Sequence, residues 1–447
     1  MKSYSTREYI THTTAEADIP MYKGSVVVVG VGYVGLPLAI QAAAKDYRVI
    51  GFDIDKEKVA RLTRREASYI SDDERALFDR LVNITMTSNE SDIWHADVYI
   101  MCVPTPVRAD HTPDLEPVKS AARIIGKHMP RGALVIIEST VNPGACEEVM
   151  LPILEAESGF KPERDFYFAH CPERVNPGDR LWGVHSIPRV LGAYGPKSLE
   201  RALELYRSIL EGEIKTMSSI KEAEAVKMVE NAFRDVNIAF VNELAMSFDR
   251  VGLDLTNVIE GASTKPFSFM AHMPGCGVGG HCIPVDPYYL IRYGHKNGFT
   301  HTFLKAARKI NSLMPRYTVS RLSRALRSRG LPLKGATVTL LGLSYKRDIS
   351  DTRESPALEI ERELREKSAS VRTFDPYVSH LSSAETLEEA LQGADCVVIA
   401  TDHTQFRELT AEQCKVAGIT LIVDGRNCLD KGTFENEGIA YYGIGRT

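Results

Sequence analysis

Two hydrophobic patterns alternate along the chain. Short β-branched runs end in glycine, proline or acid, and longer stretches repeat apolar residues at helical spacing. The first run, Ser25-Val-Val-Val-Val-Gly30, has the form of a buried strand. Leu36 to Lys45 then reads as a helix and Arg48 to Phe52 as a second strand. Further strands are predicted at Asp97 to Val103, Ala133 to Glu138 and Phe166 to His170. Ile220 to Gly252 reads as one long helix without internal Gly or Pro. Its apolar residues, from Ala225 and Val229 through Phe233 and Phe240 to Ala245, cover nearly the whole circumference, so the helix is expected to be buried all round. The chain after Pro287 reads as helical to about Arg329. A second α/β set follows, with strands at Thr337 to Leu341, Ser370 to Phe374, Asp395 to Ala400 and Leu421 to Val423, and a helix from Pro356 to Glu366.

Composition narrows the class. At 447 residues the chain has room for two or three domains. Its 44% hydrophobic and 25% charged content is ordinary for a soluble enzyme. A net charge of −5 argues against nucleic-acid binding, which favours a basic surface. Eight scattered cysteines without a C-x-x-C pair suit free thiols in a reducing cytoplasm. The first 24 residues are polar and lack the apolar core of a signal peptide. Val26 to Ala44 carries no charge and imitates a membrane span, but its glycines and Pro37 favour a turn, so no membrane is expected.

Chemistry enters at the ends of the strands. Gly30-Val-Gly32-Tyr33-Val34-Gly35 links the first strand to the first helix, and Asp53 ends the second strand. Gly30 suits a tight turn, Gly32 close approach of a pyrophosphate, and Gly35 close packing of helix on strand. The helix start supplies N–H groups to phosphates. Asp53 is placed to bond ribose hydroxyls and repel a phosphorylated ribose, so the expected cofactor is NAD. Lys58 lies one turn past the acid, as a ribose or adenine contact or a solvated charge. Thr105 and Thr140 follow predicted strands, where ligands bind in such sheets; capping or turn roles are the alternative. Glu173 and Arg174 sit in a Pro-Gly loop after another strand. Lys227 and Asn231 share one face of the long helix at i,i+4. A buried ammonium needs a partner or a job, and the neighbouring amide favours holding an oxygen.

The stretch Gly275 to Pro287 packs four glycines, two cysteines, a histidine and an aspartate into thirteen residues. Such a loop can wrap a ligand closely. Cys282, four residues before Asp286, is either a buried thiol or a nucleophile. Cys276, His281 and Cys282 lack a usual zinc spacing, and no metal is expected. In the last third, the turn after the first strand carries Lys346, Arg347, Asp348, Asp351 and Arg353, and Arg426 follows a later strand. Charges of this kind suit a phosphorylated ligand or a solvated loop. The expected fold is α/β: two Rossmann-like, doubly wound parallel-sheet domains joined by the long helix and a helical middle domain. The expected divisions are an extension over 1–24, a cofactor domain over 25–215, a central domain over 216–330 and a last domain over 331–447.

These motifs, taken in order, resemble the nucleotide-sugar dehydrogenases, the UDP-glucose and GDP-mannose dehydrogenase family, from about Gly24 onward. Its marks are Gly-Val-Gly-Tyr-Val-Gly, Glu-Ser-Thr-Val, Pro-Glu-Arg-Val-Asn-Pro-Gly, the Lys227/Asn231 helix, Gly-Gly-His-Cys-Ile-Pro-Val-Asp, and Tyr-Lys-Arg-Asp-Ile-Ser-Asp-Thr-Arg-Glu-Ser-Pro. The resemblance implies oxidation of a sugar carbon-six alcohol to a carboxylate with two NAD, by a homodimer or larger oligomer. It implies Cys282 as nucleophile, Lys227 and Asn231 as oxyanion donors, Asp286 as a helper of Lys227 or of the hydrolytic water, and Glu173 and Thr140 as handlers of that water and of protons. It also implies substrate contacts at Glu173, Arg174, Lys227, Asn231, Gly279, Lys346 and Arg426. Cofactor contacts are implied at Gly30, Gly32, Tyr33, Val34, Gly35, Asp53, Lys58, Thr105, Thr140 and Arg353. UDP-glucose enzymes commonly carry a second glutamate where this chain has Pro177. The chain is in this respect similar to the branch oxidising N-acetylated UDP-sugars. Pro284, usually Ala in the mannosamine enzymes, resembles the UDP-N-acetylglucosamine and N-acetylgalactosamine enzymes. Hydroxyacid dehydrogenases share the glycine turn and a Lys-x-x-x-Asn helix but need neither Cys282 nor residues 335–447. A non-catalytic NADH-binding protein leaves Lys227 and Cys282 without a role.

Overall fold

The computed structural model describes residues 22–108, 112–174 and 182–446. Most of the expected N-terminal extension, and residues 175–178 with Pro177 among them, lie outside the described residues.

The first sheet has eight strands: β1 (Ser25–Val29), β2 (Arg48–Phe52), β3 (Ile84–Thr87), β4 (Val98–Met101), β5 (Leu134–Ile137), β6 (Tyr167–His170), β7 (Arg189–Ala193) and β8 (Ile214–Thr216). Their order is β3-β2-β1-β4-β5-β6-β7-β8, parallel except for the β6–β7 pair. Alternate side chains feed opposite layers. Val26, Val28, Ile100 and Ile136 enter one apolar core, and Val27, Val29, Met101 and Ile137 the other. Burial on both faces is why these strands read as continuous apolar runs. By contrast β3, β7 and β8 were not predicted. They are short or carry polar residues, and β7 opens on a buried arginine.

The second sheet comprises β9 (Thr337–Leu341), β10 (Ser370–Phe374), β11 (Cys396–Ile399), β12 (Leu421–Asp424) and β13 (Ala440–Gly443). It is all parallel, in the order β10-β9-β11-β12-β13. Strand order reverses between β1 and β4 in one sheet and between β9 and β11 in the other. Each reversal leaves a crevice at the strands' carboxyl ends. The two crevices are built alike. Gly30 (φ +94°) turns against Cys102 after β4, and Gly342 (φ +87°) turns against Thr401 after β11.

A 32-residue helix, Ile220–Val251, joins the sheets. The Ser219 side chain caps its start, and Gly252 ends it in the left-handed conformation. It is not buried all round. Val229, Phe233 and Phe240 are 57%, 50% and 55% exposed, whereas Glu224, Lys227, Asn231, Asp235 and Asn242 are buried. Apolar spacing could not show which face had partners, and the polar residues face inward because each one meets a partner. The helical stretch after Pro287 is also divided. Helix Asp286–Lys296 ends before Gly298 (φ +80°), and helix Thr302–Ser328 packs back along the central helix. Among the described residues no helix is long and apolar enough to cross a membrane.

Candidate active site

The crevice at β1 and β4 divides its glycines by task. A Cβ on Gly30 would lie 2.8 Å from the Cys102 carbonyl oxygen, and one on Gly35 only 1.9 Å from the Gly30 oxygen. Nothing lies within 4 Å of the same position on Gly32. Two glycines therefore permit the turn, and the third faces open space, as close approach of a pyrophosphate requires. Tyr33 is exposed and its ring lies 5.0 Å from that of Tyr69; Val34 precedes helix Gly35–Ala44. Asp53 accepts from the Val31 amide at 3.1 Å and from Lys58 Nζ at 2.9 Å. Lys58 thus offsets part of the Asp53 charge. Thr105, after β4, accepts through its carbonyl from the Tyr289 hydroxyl at 2.9 Å.

The central helix gathers the other loops along one polar stripe. Its Glu224 holds the turn after Thr140, accepting from the Gly144 and Cys146 amides. Lys227 Nζ lies 3.7 Å from the Glu173 carboxylate. Asn231 donates to Asp286 at 2.5 Å. Asn242 accepts from the Gly275 amide at 2.9 Å, at the start of the cysteine loop. Arg174 is tied by Nε to Glu230 of this helix at 3.2 Å and by NH1 to the Pro188 carbonyl at 2.8 Å.

The cysteine loop is fastened at its other side to the second sheet. The Cys276 amide donates to the Gly425 carbonyl at 2.9 Å, and its buried thiol to Ala400 at 3.3 Å. The Gly280 amide donates to the Arg353 carbonyl at 2.9 Å. A Cβ on Gly279 would lie 2.6 Å from Tyr345 Cβ, so this glycine lets the loop lie flat on the charged turn. The Val285 and Asp286 amides donate to the Cys282 carbonyl at 3.0 and 2.8 Å, opening helix Asp286–Lys296. Cys282 thus stands where both sheets and the central helix meet.

Burial governs the ionisation of this cluster. It raises the Asp286 carboxyl to about 7, against the Asn231 hydrogen bond and the Lys227 charge. It pushes the Cys282 thiol up to about 12; Asp286 adds to the rise, while Lys227 and Arg353 oppose it. Burial also raises Glu173, opposed first by Lys227 and then by Arg189. Three acids raised by burial around one ammonium in one cleft mark a site built for proton management.

The second crevice holds the charges expected there. Arg353 pairs through Nε with Asp351 at 2.9 Å, and its side chain is half exposed. Arg426 Nε lies 3.6 Å from Asp402, which also receives Arg347 Nε at 3.0 Å. The Lys346 carbonyl accepts from Ser344 Oγ at 3.0 Å. Asp375 follows β10 as Asp53 follows β2, and it is the more deeply buried of the two. It accepts from the Leu343 and Ser344 amides at 2.6 and 2.9 Å and faces His403 Nε2 at 3.0 Å. Its carboxylate is thus taken up by two amides and a histidine.

Several residues were missed in the sequence. Arg189 NH1 bonds both Glu138 oxygens at 3.0 and 2.9 Å, and Tyr206 donates to Glu138 at 2.6 Å. The trio is buried, Glu138 directly precedes Ser139 and Thr140, and its carbonyl accepts from the Glu173 amide at 3.4 Å. Glu138 was legible as the polar end of an apolar run; Arg189 carried no signal. Asp402 and His403 follow a predicted strand and were open to the same positional argument as Thr140.

A dinucleotide crevice, a second α/β crevice lined with cations, and a thiol between them define an NAD-dependent oxidoreductase acting on a nucleotide-linked substrate. The comparisons agree. Residues 24–210 match the NAD-binding domain of the UDP-glucose/GDP-mannose dehydrogenase family, 221–313 its central domain and 339–431 its UDP-binding domain. The chain belongs to this family and is a nucleotide-sugar dehydrogenase that uses NAD. It is 40% identical over 399 residues to the UDP-N-acetyl-D-glucosamine 6-dehydrogenase of Pseudomonas aeruginosa, covering 88% of this chain and 94% of that protein. It is 39% identical over 425 residues to the UDP-N-acetyl-D-mannosamine dehydrogenase of Pyrococcus horikoshii, covering 94% and 99%. The solved UDP-D-ManNAc dehydrogenase of Pyrococcus horikoshii superimposes with a TM-score of 0.88 at 37% identity, covering 94% of this chain and 99% of that one.

Proposed function

We propose that this enzyme oxidises the carbon-six alcohol of a UDP-N-acetylhexosamine, with UDP-N-acetylglucosamine the favoured substrate, to the uronic acid. The product would serve as a precursor for polysaccharide or glycan synthesis in the cytoplasm. The observation that carries the reading is the meeting of Cys282 with Lys227, Asn231, Asp286 and Glu173 between the two crevices. The absence of a second glutamate at Pro177 and the names of the two relatives above favour an N-acetylated sugar. Pro284 favours glucosamine over mannosamine.

The residues divide the work as follows. Gly30, Gly32, Gly35 and Asp53 would hold NAD at the first crevice, and NAD bound there would supply the hydride acceptor, two molecules being used in turn. Glu173 takes the proton released from the alcohol, through water, and Glu173 and Thr140 later handle the water that cleaves the thioester. The Cys282 thiol then adds across the aldehyde: a sulfur–carbon bond forms and the thiol proton passes to the oxygen. Loss of the second hydride and the hydroxyl proton leaves a thioester. Lys227 and Asn231 hold the oxyanion as water attacks the thioester, sulfur leaves, and a carboxylate departs. Asp286 orients Asn231 and assists Lys227 and the water. Lys346, Arg426 and Arg174 bind the nucleotide-sugar, and Arg353 the cofactor. A panel of UDP-sugars mixed with NAD and followed by NADH absorbance tests the proposal. UDP-N-acetylglucosamine should give the highest kcat/KM. Absence of NADH with every UDP-N-acetylhexosamine would overturn it.

Asp53 opposes the extra phosphate of NADP. NAD should therefore give a much higher kcat/KM, and Asp53→Ala should narrow the gap; equal efficiency in the unaltered enzyme would contradict this role. The exposed apolar face of the central helix calls for a cover. Val229, Phe233 and Phe240 lie there, the Phe233 ring meets His272, and Phe267 and Met270 are exposed on the adjoining segment. A homodimer or larger assembly through the central helices should form. Light scattering at micromolar concentration should give at least twice the chain mass, and a monomer there would contradict the assembly.

A further inference from the structure

Glu224 takes no part in the chemistry above, yet it is wholly buried one turn before Lys227. Its Oε2 accepts from the Gly144 amide at 2.5 Å and its Oε1 from the Cys146 amide at 2.8 Å. Both amides belong to the turn that follows Thr140 and opens the helical segment running to Ser158. Amides at such a start lack partners within the helix and carry the positive end of its dipole, which a carboxylate matches. Gly144 lies at φ +88°, and a Cβ on it would come 2.7 Å from Glu148 Oε1, so the turn is confined on its other side too. A carboxylate has an acceptor for each amide. A carboxamide has one, and sets its own N–H against the second.

We infer that Glu224 is a positioning residue for the hydrolytic half of the reaction. By holding the Gly144 and Cys146 amides, it fixes the Thr140 turn against the helix that carries Lys227 and Asn231. The water and the oxyanion donors are thereby kept in register. This rests on the roles proposed above for Thr140 and Lys227.

The test compares the full-length enzyme, Glu224→Gln, Thr140→Ala and the double variant, with NAD and the best UDP-sugar of the panel. In Glu224→Gln, steady-state kcat should fall by about tenfold or more, as misplacement of a reacting group does. A burst of about two NADH per site should persist while an adduct accumulates on the Cys282 peptide. The double variant should be no slower than the worse single one, because both act on one turn. Folding is checked by thermal denaturation. If Glu224→Gln does not fold, Gly144→Ala disturbs the same turn and should give the same burst and adduct. The inference is overturned by unchanged kcat, by equal loss of burst and steady rate without adduct, or by losses that multiply. A wild-type enzyme that makes no NADH from any UDP-sugar instead removes the functional reading, and this inference with it.

Discussion

Cys282→Ser should abolish release of uronic acid, lowering steady-state turnover by at least about 10³-fold. The substitution keeps the shape of the loop, whose fastening runs through the Gly275, Cys276 and Gly280 amides and the Cys282 carbonyl. What it removes is nucleophilicity. A hydroxyl ionises far less readily than a thiol, and the Cys282 thiol itself is already pushed up to about 12 by burial. The first hydride transfer needs no covalent bond and should survive, leaving sugar or aldehyde held on the enzyme. Cys276→Ser should remain active, because the Cys276 thiol points at Ala400 in the second sheet and not into the cleft. Product analysis of both variants by chromatography checks this. Near wild-type uronate from Cys282→Ser would reduce the loop to a glycine-rich clamp.

Lys227→Met should lower kcat by about 10²- to 10³-fold, the cost of removing an oxyanion donor. It should leave KM for NAD little changed, since the Gly30–Gly35 turn and Asp53 lie on the first sheet, away from it. The same ammonium opposes the rise of Glu173 and Asp286. Its loss should therefore move the acidic limb of the pH profile to higher pH. In the wild type that limb follows Asp286, whose carboxyl is raised to about 7. Activity that depends on its ionised form grows as pH rises through about 7. The sign for stability is opposite: the neutral, buried acid favours folding, and that contribution is lost as pH rises through the same value. Steady-state kinetics and thermal denaturation between pH 5 and 9, both run on Lys227→Met and wild type, separate the two effects. An unchanged pH profile and kcat would assign Lys227 to a purely structural ion pair.

The glycine fingerprint was legible because sterics act locally. Gly30 and Gly35 each face an atom that no Cβ could tolerate, and the open space at Gly32 follows from the turn they form. Strands β1, β4, β5 and β11 were legible because burial on both faces leaves a nearly unbroken apolar run. The central helix was legible in length and wrong in orientation. Its polar residues find partners 33 to 80 residues away in sequence, at Gly275 and at Gly144, and no local pattern announces these. Arg189 escaped for the same reason: its partner Glu138 is 51 residues distant. Residue types in the cysteine loop marked it as a tight wrapper. That Gly279 serves contact with Tyr345, between parts of the chain, emerged only from the packing. The charged turn from Lys346 to Arg353 was legible as the loop that follows the first strand of the second sheet, while the pairing of Asp375 with His403 was not.

The central claim is that Cys282 carries the sugar through the second oxidation, first as a thiohemiacetal and then as a thioester that water cleaves. Wild-type enzyme turning over UDP-N-acetylglucosamine and NAD is quenched in acid, digested and measured by mass spectrometry. The account predicts an acyl adduct on the peptide containing Cys282 and two NADH formed for each uronic acid released. An unmodified Cys282 peptide throughout turnover, with uronic acid still accumulating, would contradict it.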